Sequence, residues 1–170
     1  MSQIAKAPQG DKRPFMLRKG IASEADLDTK PVTVTSATVT LDPQIHAGRL
    51  TILNRAAGIA VTLPAATGTG NTYPLHVLAT FTGASTIKVA SASDEMQGTA
   101  ILFADGGATV VAFNTADNED TIDLLGTGNS TGGIFGARYE LQDIATGFWR
   151  VSIVSDAGGT EATPFSATVS

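Results

Sequence analysis

The stretch Asn54-Arg-Ala-Ala-Gly-Ile-Ala-Val-Thr-Leu-Pro-Ala-Ala-Thr-Gly-Thr-Gly-Asn-Thr-Tyr73 decides how this chain of 170 residues folds. Ile59, Val61 and Leu63 alternate with Ala60 and Thr62, the period-two pattern of a strand that buries one face. Pro64 closes the run because it has no N–H to give to a ladder, and Gly68-Thr-Gly70-Asn71 supplies a turn. A second alternating run follows, with Tyr73, Leu75, Val77, Ala79 and Phe81 on one face.

Working outward, the same succession of short strand and turn fills the chain after Pro31. Strands are predicted near 32–41, 48–54, 58–63, 72–81, 86–90, 99–104, 108–113, 120–125, 136–143, 147–154 and 163–168. Apolar faces are predicted at Leu50 and Ile52, Ile87 and Val89, Ile101 and Phe103, Ile122 and Leu124, Tyr139 and Leu141, and Trp149, Val151 and Ile153. Turn clusters separate them at Asp105-Gly106-Gly107, Gly126-Thr-Gly128-Asn129 and Asp156-Ala-Gly158-Gly159. No 12-residue segment sustains a helical period. Short Thr- and Val-rich strands spaced near ten residues predict an all-β body over 32–170, a single β-sandwich, jelly-roll or barrel-like domain. Threonine on strands leaves a small polar head on the outer face, and a surface poor in Lys and Glu suits packing against like subunits.

Composition limits what this body can be. A chain of this length is most economically one domain, able to bury roughly 70% of its unfolded surface without a staple. Cysteine is absent, so there is no disulfide framework, thiolate nucleophile or Cys-ligated metal. No apolar run approaches the roughly 20 residues that span a bilayer, and Met1 to Gly20 carries no apolar signal core. The expectation is synthesis in a cytoplasm, with no membrane partner.

The formal charge of −5 is unevenly placed. Lys6, Lys12, Arg13, Arg18, Lys19 and Lys30 precede Pro31, against Asp11, Glu24, Asp26 and Asp28. After it come only Arg49, Arg55, Lys88, Arg138 and Arg150, against a dozen acids. An acidic body repels nucleic acid, and the first segment is too mixed in sign to be a nucleic-acid tail. Residues 1 to about 31, with Pro8, Gly10, Pro14, Gly20 and Pro31, form either a disordered terminus or an extended arm that orders on a partner. Ser23 and Asp26 offer one capped helical turn over Ile21 to Asp28. Phe15, Met16 and Leu17 are an apolar anchor beside four bases, costly to leave in water.

Motifs for chemistry fail on their context. Gly128-Asn-Ser130-Thr-Gly132 matches G-x-S-x-G, but Gly133-Ile-Phe-Gly136 is no helix start and both histidines, His46 and His76, precede the serine. The dinucleotide fingerprint fails in the same segment, and no P-loop occurs. Asp117, Asn118, Glu119, Asp120 and Asp123 in the segment 114–123 bring oxygens together without EF-hand spacing, so a solvated acidic loop is expected there, with a cation site as the alternative. Asn129-Ser-Thr131 matches a glycosylation acceptor that has no meaning without secretion. His46 in a loop and His76 on a strand lack partners at metal-ligand spacing. Trp149 shares a face with Val151 and Ile153 and is expected in the core, a sugar-stacking platform being the alternative. Asp94 and Glu95 are strand neighbours and point to opposite faces, so they make no acid–base pair.

The stretch Leu53 to Tyr73 resembles a segment of small virion proteins of tailed bacteriophages. Thr86-Ile-Lys-Val-Ala90, Asp94-Glu-Met-Gln-Gly98, Tyr139-Glu-Leu-Gln-Asp-Ile-Ala-Thr-Gly-Phe-Trp149 and Ala162-Thr-Pro-Phe-Ser166 extend the likeness from about residue 50 to the end, but not to the arm. The resemblance implies a β-rich capsid decoration (cement) protein or a related head or fibre component, commonly trimeric on an icosahedral shell. Its partner is then the major capsid protein and its place the capsid surface of the virion. No catalytic residue, cofactor or small-molecule substrate comes with it. Residues Lys12, Arg13, Phe15, Met16, Leu17, Arg18 and Lys19 of the arm are expected to make the capsid contact. The alternative is a tail-fibre or head-fibre module that binds a host receptor or glycan.

Overall fold

Most strands form where buried and exposed positions alternate, and the strands Thr72–Val77 and Glu95–Ala104 run on through Pro74 and Gly98. The computed structural model describes residues 30–104, 109–124 and 130–169. The chain divides into two units, Met1–Lys30 and Pro31–Ser170, and all described residues but Lys30 belong to the second, the body. Its elements are β1 (Val32–Val34), β2 (Thr38–Thr40), a short helix α1 (Pro43–His46), β3 (Thr51–Leu53), β4 (Ala60–Thr62), β5 (Thr72–Val77) and β6 (Ser85–Lys88). There follow β7 (Glu95–Ala104), β8 (Thr109–Asn114), β9 (Thr121–Leu124), β10 (Arg138–Ala145), β11 (Phe148–Ala157) and β12 (Phe165–Ser166).

Two mixed sheets pack face to face as a β-sandwich. The larger is ordered β1-β3-β5-β10-β11-β7-β8 and the smaller β12-β9-β6-β4-β2. Open edges on both exclude a closed barrel, and parallel neighbours exclude an all-antiparallel jelly roll. The first six strands alternate between the sheets, and each pairs in parallel with the strand one circuit earlier. Ladder partners Val32, Thr51 and Leu75 on one sheet, and Thr38, Ala60 and Thr86 on the other, mark successive circuits. This half of the body is a coil. The other half is mostly antiparallel, with β10 joined to β5 and β11, β7 to β8, and β9 to β6 and β12. Its exception is the ten-residue parallel ladder between β7 and β11.

The core is one cluster fed by both inner faces. Tyr73, Leu75, Tyr139, Leu141, Trp149, Val151 and Ile153 come from the larger sheet, and Val61, Ile87, Ile122 and Phe165 from the smaller. Trp149 is 0% exposed and meets Tyr73 edge to face, ring centroids 5.6 Å apart. That geometry sets the positive ring edge of one against the negative face of the other. The core placement expected for Trp149 therefore holds, and it is no sugar platform.

Several boundaries and faces differ from the expectations. The run 32–41 is two strands, because the chain bends at Ser36 and crosses from one sheet to the other. The run 72–81 stops at Val77, although Phe81 still reaches the core. Strand β7 begins at Glu95, not at residue 99, and β11 continues through Asp156 and Ala157, which pair with Phe103 and Ala104 in place of the expected turn. At Leu50 and Ile52 the face is inverted: Thr51 and Leu53 are buried. Inverted too is Ile101 with Phe103, since the ladder sets Ala100 beside Ile153 and turns Ala100 and Leu102 inward. The turns at 105–107 and 126–129 and the helical turn over 21–28 lie outside the described residues.

Two glycines are dictated by close approach. A Cβ on Gly98 would lie 1.8 Å from the Val151 carbonyl oxygen, so β7 and β11 could not pair with any other residue there. Gly58 has φ +99°, and a Cβ would lie 2.3 Å from the Ala84 carbonyl oxygen.

Candidate interaction face

Because one face of each strand feeds the core, the other face of the larger sheet is turned outward across its full width. Ladder partners give its rows. One runs Ile52, His76, Arg138, Val154, Ile101, Ala112, and the next Pro74, Glu140, Ser152, Thr99, Asn114. A shallow depression of 390 Å³ lies on this face, lined by Leu50, Pro74, His76, Arg138, Glu140 and Val154 among others. Its lining is mostly apolar and includes His76, Arg138 and Glu140. Arg150 and Glu140 approach to 3.9 Å with both side chains more than half exposed, a pair that water screens almost entirely. Toward β8 the face becomes apolar, with Ile101 37% and Val110 57% exposed and Phe103 partly covered.

The titratable groups that are buried serve the scaffold. Asp143 on β10 accepts from the Thr67, Gly68 and Thr69 N–H groups at 3.3, 2.7 and 2.9 Å and from the Thr69 hydroxyl at 2.7 Å. Burial pushes its carboxyl up, but these donors outweigh burial and hold it below the ordinary value. The chain between β4 and β5 is thereby clamped to β10. Burial raises the Tyr139 phenol well above its usual range, and its oxygen accepts from the Gly133 N–H at 3.2 Å.

The segment 114–123 is the expected solvated acidic loop only in part: Asp117 and Asn118 are exposed in a turn, but its later acids are engaged. Asp120 is buried and accepts from the Thr168 and Val169 N–H groups at 2.9 and 3.1 Å, while Asp123 accepts from the Ser166 hydroxyl at 2.6 Å. Those carboxylates dock the C-terminal segment onto β9. Among the described residues no three His, Asp or Glu side chains gather as metal ligands.

His46 ends α1, whose N-cap Asp42 accepts from the Gln44 N–H at 2.7 Å, and its Nδ1 accepts from the Asp42 N–H at 2.9 Å. It is thus a packed histidine on a short helix where a loop was expected. His76 stands on β5, at the depression. Ser130 lies in a turn and Gly132 has φ +93°, with no helix following. Asp94 accepts from the Ala66 N–H at 3.1 Å and lies just before β7, which begins at Glu95, so the two are not strand neighbours as expected. The expected capsid-contact residues, Lys12 to Lys19, lie outside the described residues.

Sequence reasoning did not single out Asp143, and it named Asp120 only as one oxygen of an acidic segment, not as a holder of backbone. Both look like surface acids in a linear pattern, and only distant backbone donors give them their work. Comparison with protein-family models and with curated proteins finds no match for the chain.

Proposed function

We propose that this chain is a structural protein of a tailed-phage virion, a decoration (cement) protein that binds the outer capsid surface and stabilises the head. The observation that carries the reading is the broad outer face of the seven-stranded sheet, with only a shallow depression on it, on a body whose described buried acids, Asp94, Asp120 and Asp143, hold backbone. A rigid plate of this kind gains affinity by many weak contacts repeated over a lattice, through effective concentration. The likeness of residues 50 to 170 to small virion proteins supports it. The arm, through Lys12, Arg13, Phe15, Met16, Leu17, Arg18 and Lys19, binds the major capsid protein: its bases meet shell carboxylates and its apolar triplet is buried on docking. The copies assemble as a homotrimer on the shell and do no catalysis. The glycan-binding alternative needs Trp149 or Tyr73 at the surface, and both are buried.

Co-sedimentation with undecorated heads tests this. The full chain is expected to pellet with heads, and a variant lacking residues 1–20 to remain in the supernatant. Equal occupancy of both would refute the role of the arm, and no pelleting of either would refute the capsid itself.

A further inference from the structure

Four strands end the two sheets, and their treatment differs. Edges β1, β2 and β12 are three, three and two residues long, and brevity is a standard protection against pairing with another chain. The fourth edge, β8, is six residues long and reads Thr109-Val-Val-Ala-Phe-Asn114. It holds no charge, proline or glycine, in a body where a dozen acids were available. Among the described residues β8 pairs only with β7.

The ladder fixes which main-chain groups are free. Thr115 donates its N–H to the Gly98 carbonyl at 3.0 Å, in step with the β7–β8 register. Alternate residues of an antiparallel strand bond to the same neighbour, so Thr109, Val111 and Phe113 are spent on β7. Val110, Ala112 and Asn114 turn their N–H and C=O groups away from it. On the inner face, Val111 and Phe113 are only partly covered, and Phe113 packs at the margin of the core.

We propose that β8 pairs antiparallel with β8 of a second copy, about a two-fold axis through Ala112. Residues opposite one another must share a sheet face, so a residue stands at the axis, and Val111 or Ala112 there gives the longest overlap of β8 with itself. The axis at Ala112 matches all three outward residues: Ala112 faces its own copy, and Val110 faces Asn114 twice. Each of these pairs exchanges two hydrogen bonds. It also sets Val111 against Phe113 of the second copy on the inner face, so the two cores run together. Self-pairing sets the axis residue against its like and the remaining residues against one another, and this edge has no charge to repel or to leave unpaired. That absence favours a copy of this chain over a charged partner segment. The pairing is independent of the phage reading, and on a shell it would link neighbouring copies.

The chain lacks cysteine, which makes the geometry directly testable. A hydrogen-bonded antiparallel pair holds its Cα atoms about 5.5 Å apart, inside the disulfide range. Oxidation of Ala112→Cys is expected to give at least about tenfold more covalent dimer than Ser152→Cys, exposed on the same face but remote from the edge. Equal yields from the two variants would overturn the proposal. Sedimentation of the uncrosslinked chain supplies a second arm: Ala112→Lys, with unchanged circular dichroism, is expected to abolish the dimer. An assembly that survives Ala112→Lys intact, a trimer included, would place the contact elsewhere, and a chain that stays monomeric while Ala112→Cys fails to cross-link would leave β8 without a partner copy.

Discussion

The coil half of the body and its long-strand half bury the same core by different means. In the coil, β1 to β4 are three residues each, and every circuit spends more chain on crossing between sheets than on pairing. In the other half, β7 and β11 share a parallel ladder from Glu95–Phe148 to Ala104–Ala157, and β10 lies antiparallel along β11. Local hydrogen bonding is dense where strands are long, and protection from exchange should follow it. The lesson is that a short strand stays in place by its neighbours' packing, a long one by its own ladder.

The harshest way to break this contrast is Gly98→Val, which drives side-chain atoms into the Val151 backbone at the centre of the long ladder. A loss above about 4 kcal/mol, or no folded protein, is expected by chemical denaturation. Trp149→Ala empties the centre that both halves share, and about 3–5 kcal/mol should be lost without change of fold.

Asp143→Asn acts on the tie between the halves, and about 1–3 kcal/mol should go at neutral pH. Its pH dependence has a defined sign. The folded carboxyl sits below its ordinary 3.8, so the unfolded chain takes up the proton first. The stabilisation is complete above 3.8 and declines as pH falls through the folded value, so wild type and variant should converge in acid. A gap that stays constant down to about pH 2 would mean that charge plays no part. Smallest of all, Glu140→Ala removes an exposed ion pair and should change stability by less than about 1 kcal/mol. Hydrogen exchange sharpens the comparison without mutation: amides of β7, β10 and β11 should outlast those of β1 to β4, and uniform protection would erase the distinction.

Strand existence was legible in the residues because Thr/Val alternation and Gly/Pro punctuation agree. The faces at Ile87, Ile122, Tyr139 and Trp149 followed from clean alternation, and each is buried. At Ala100-Ile-Leu-Phe-Ala104 every position is apolar, so the pattern could not choose a face; the ladder to Ile153 chose it. Nor did the linear order reveal the coil, because parallel partners lie a whole circuit apart and leave no local mark. The clamps at Asp143 and Asp120 were hidden for the same reason, their donors coming from distant segments. The outer face is a consequence of which residues the core leaves out, so it became readable only with the register.

The proposed adhesion to a phage shell is tested most directly by electron cryomicroscopy of undecorated heads mixed with the purified chain. Ordered density for the sandwich on the outer capsid surface is the result it predicts. Bare heads at saturating protein, or density confined to the tail, would contradict it.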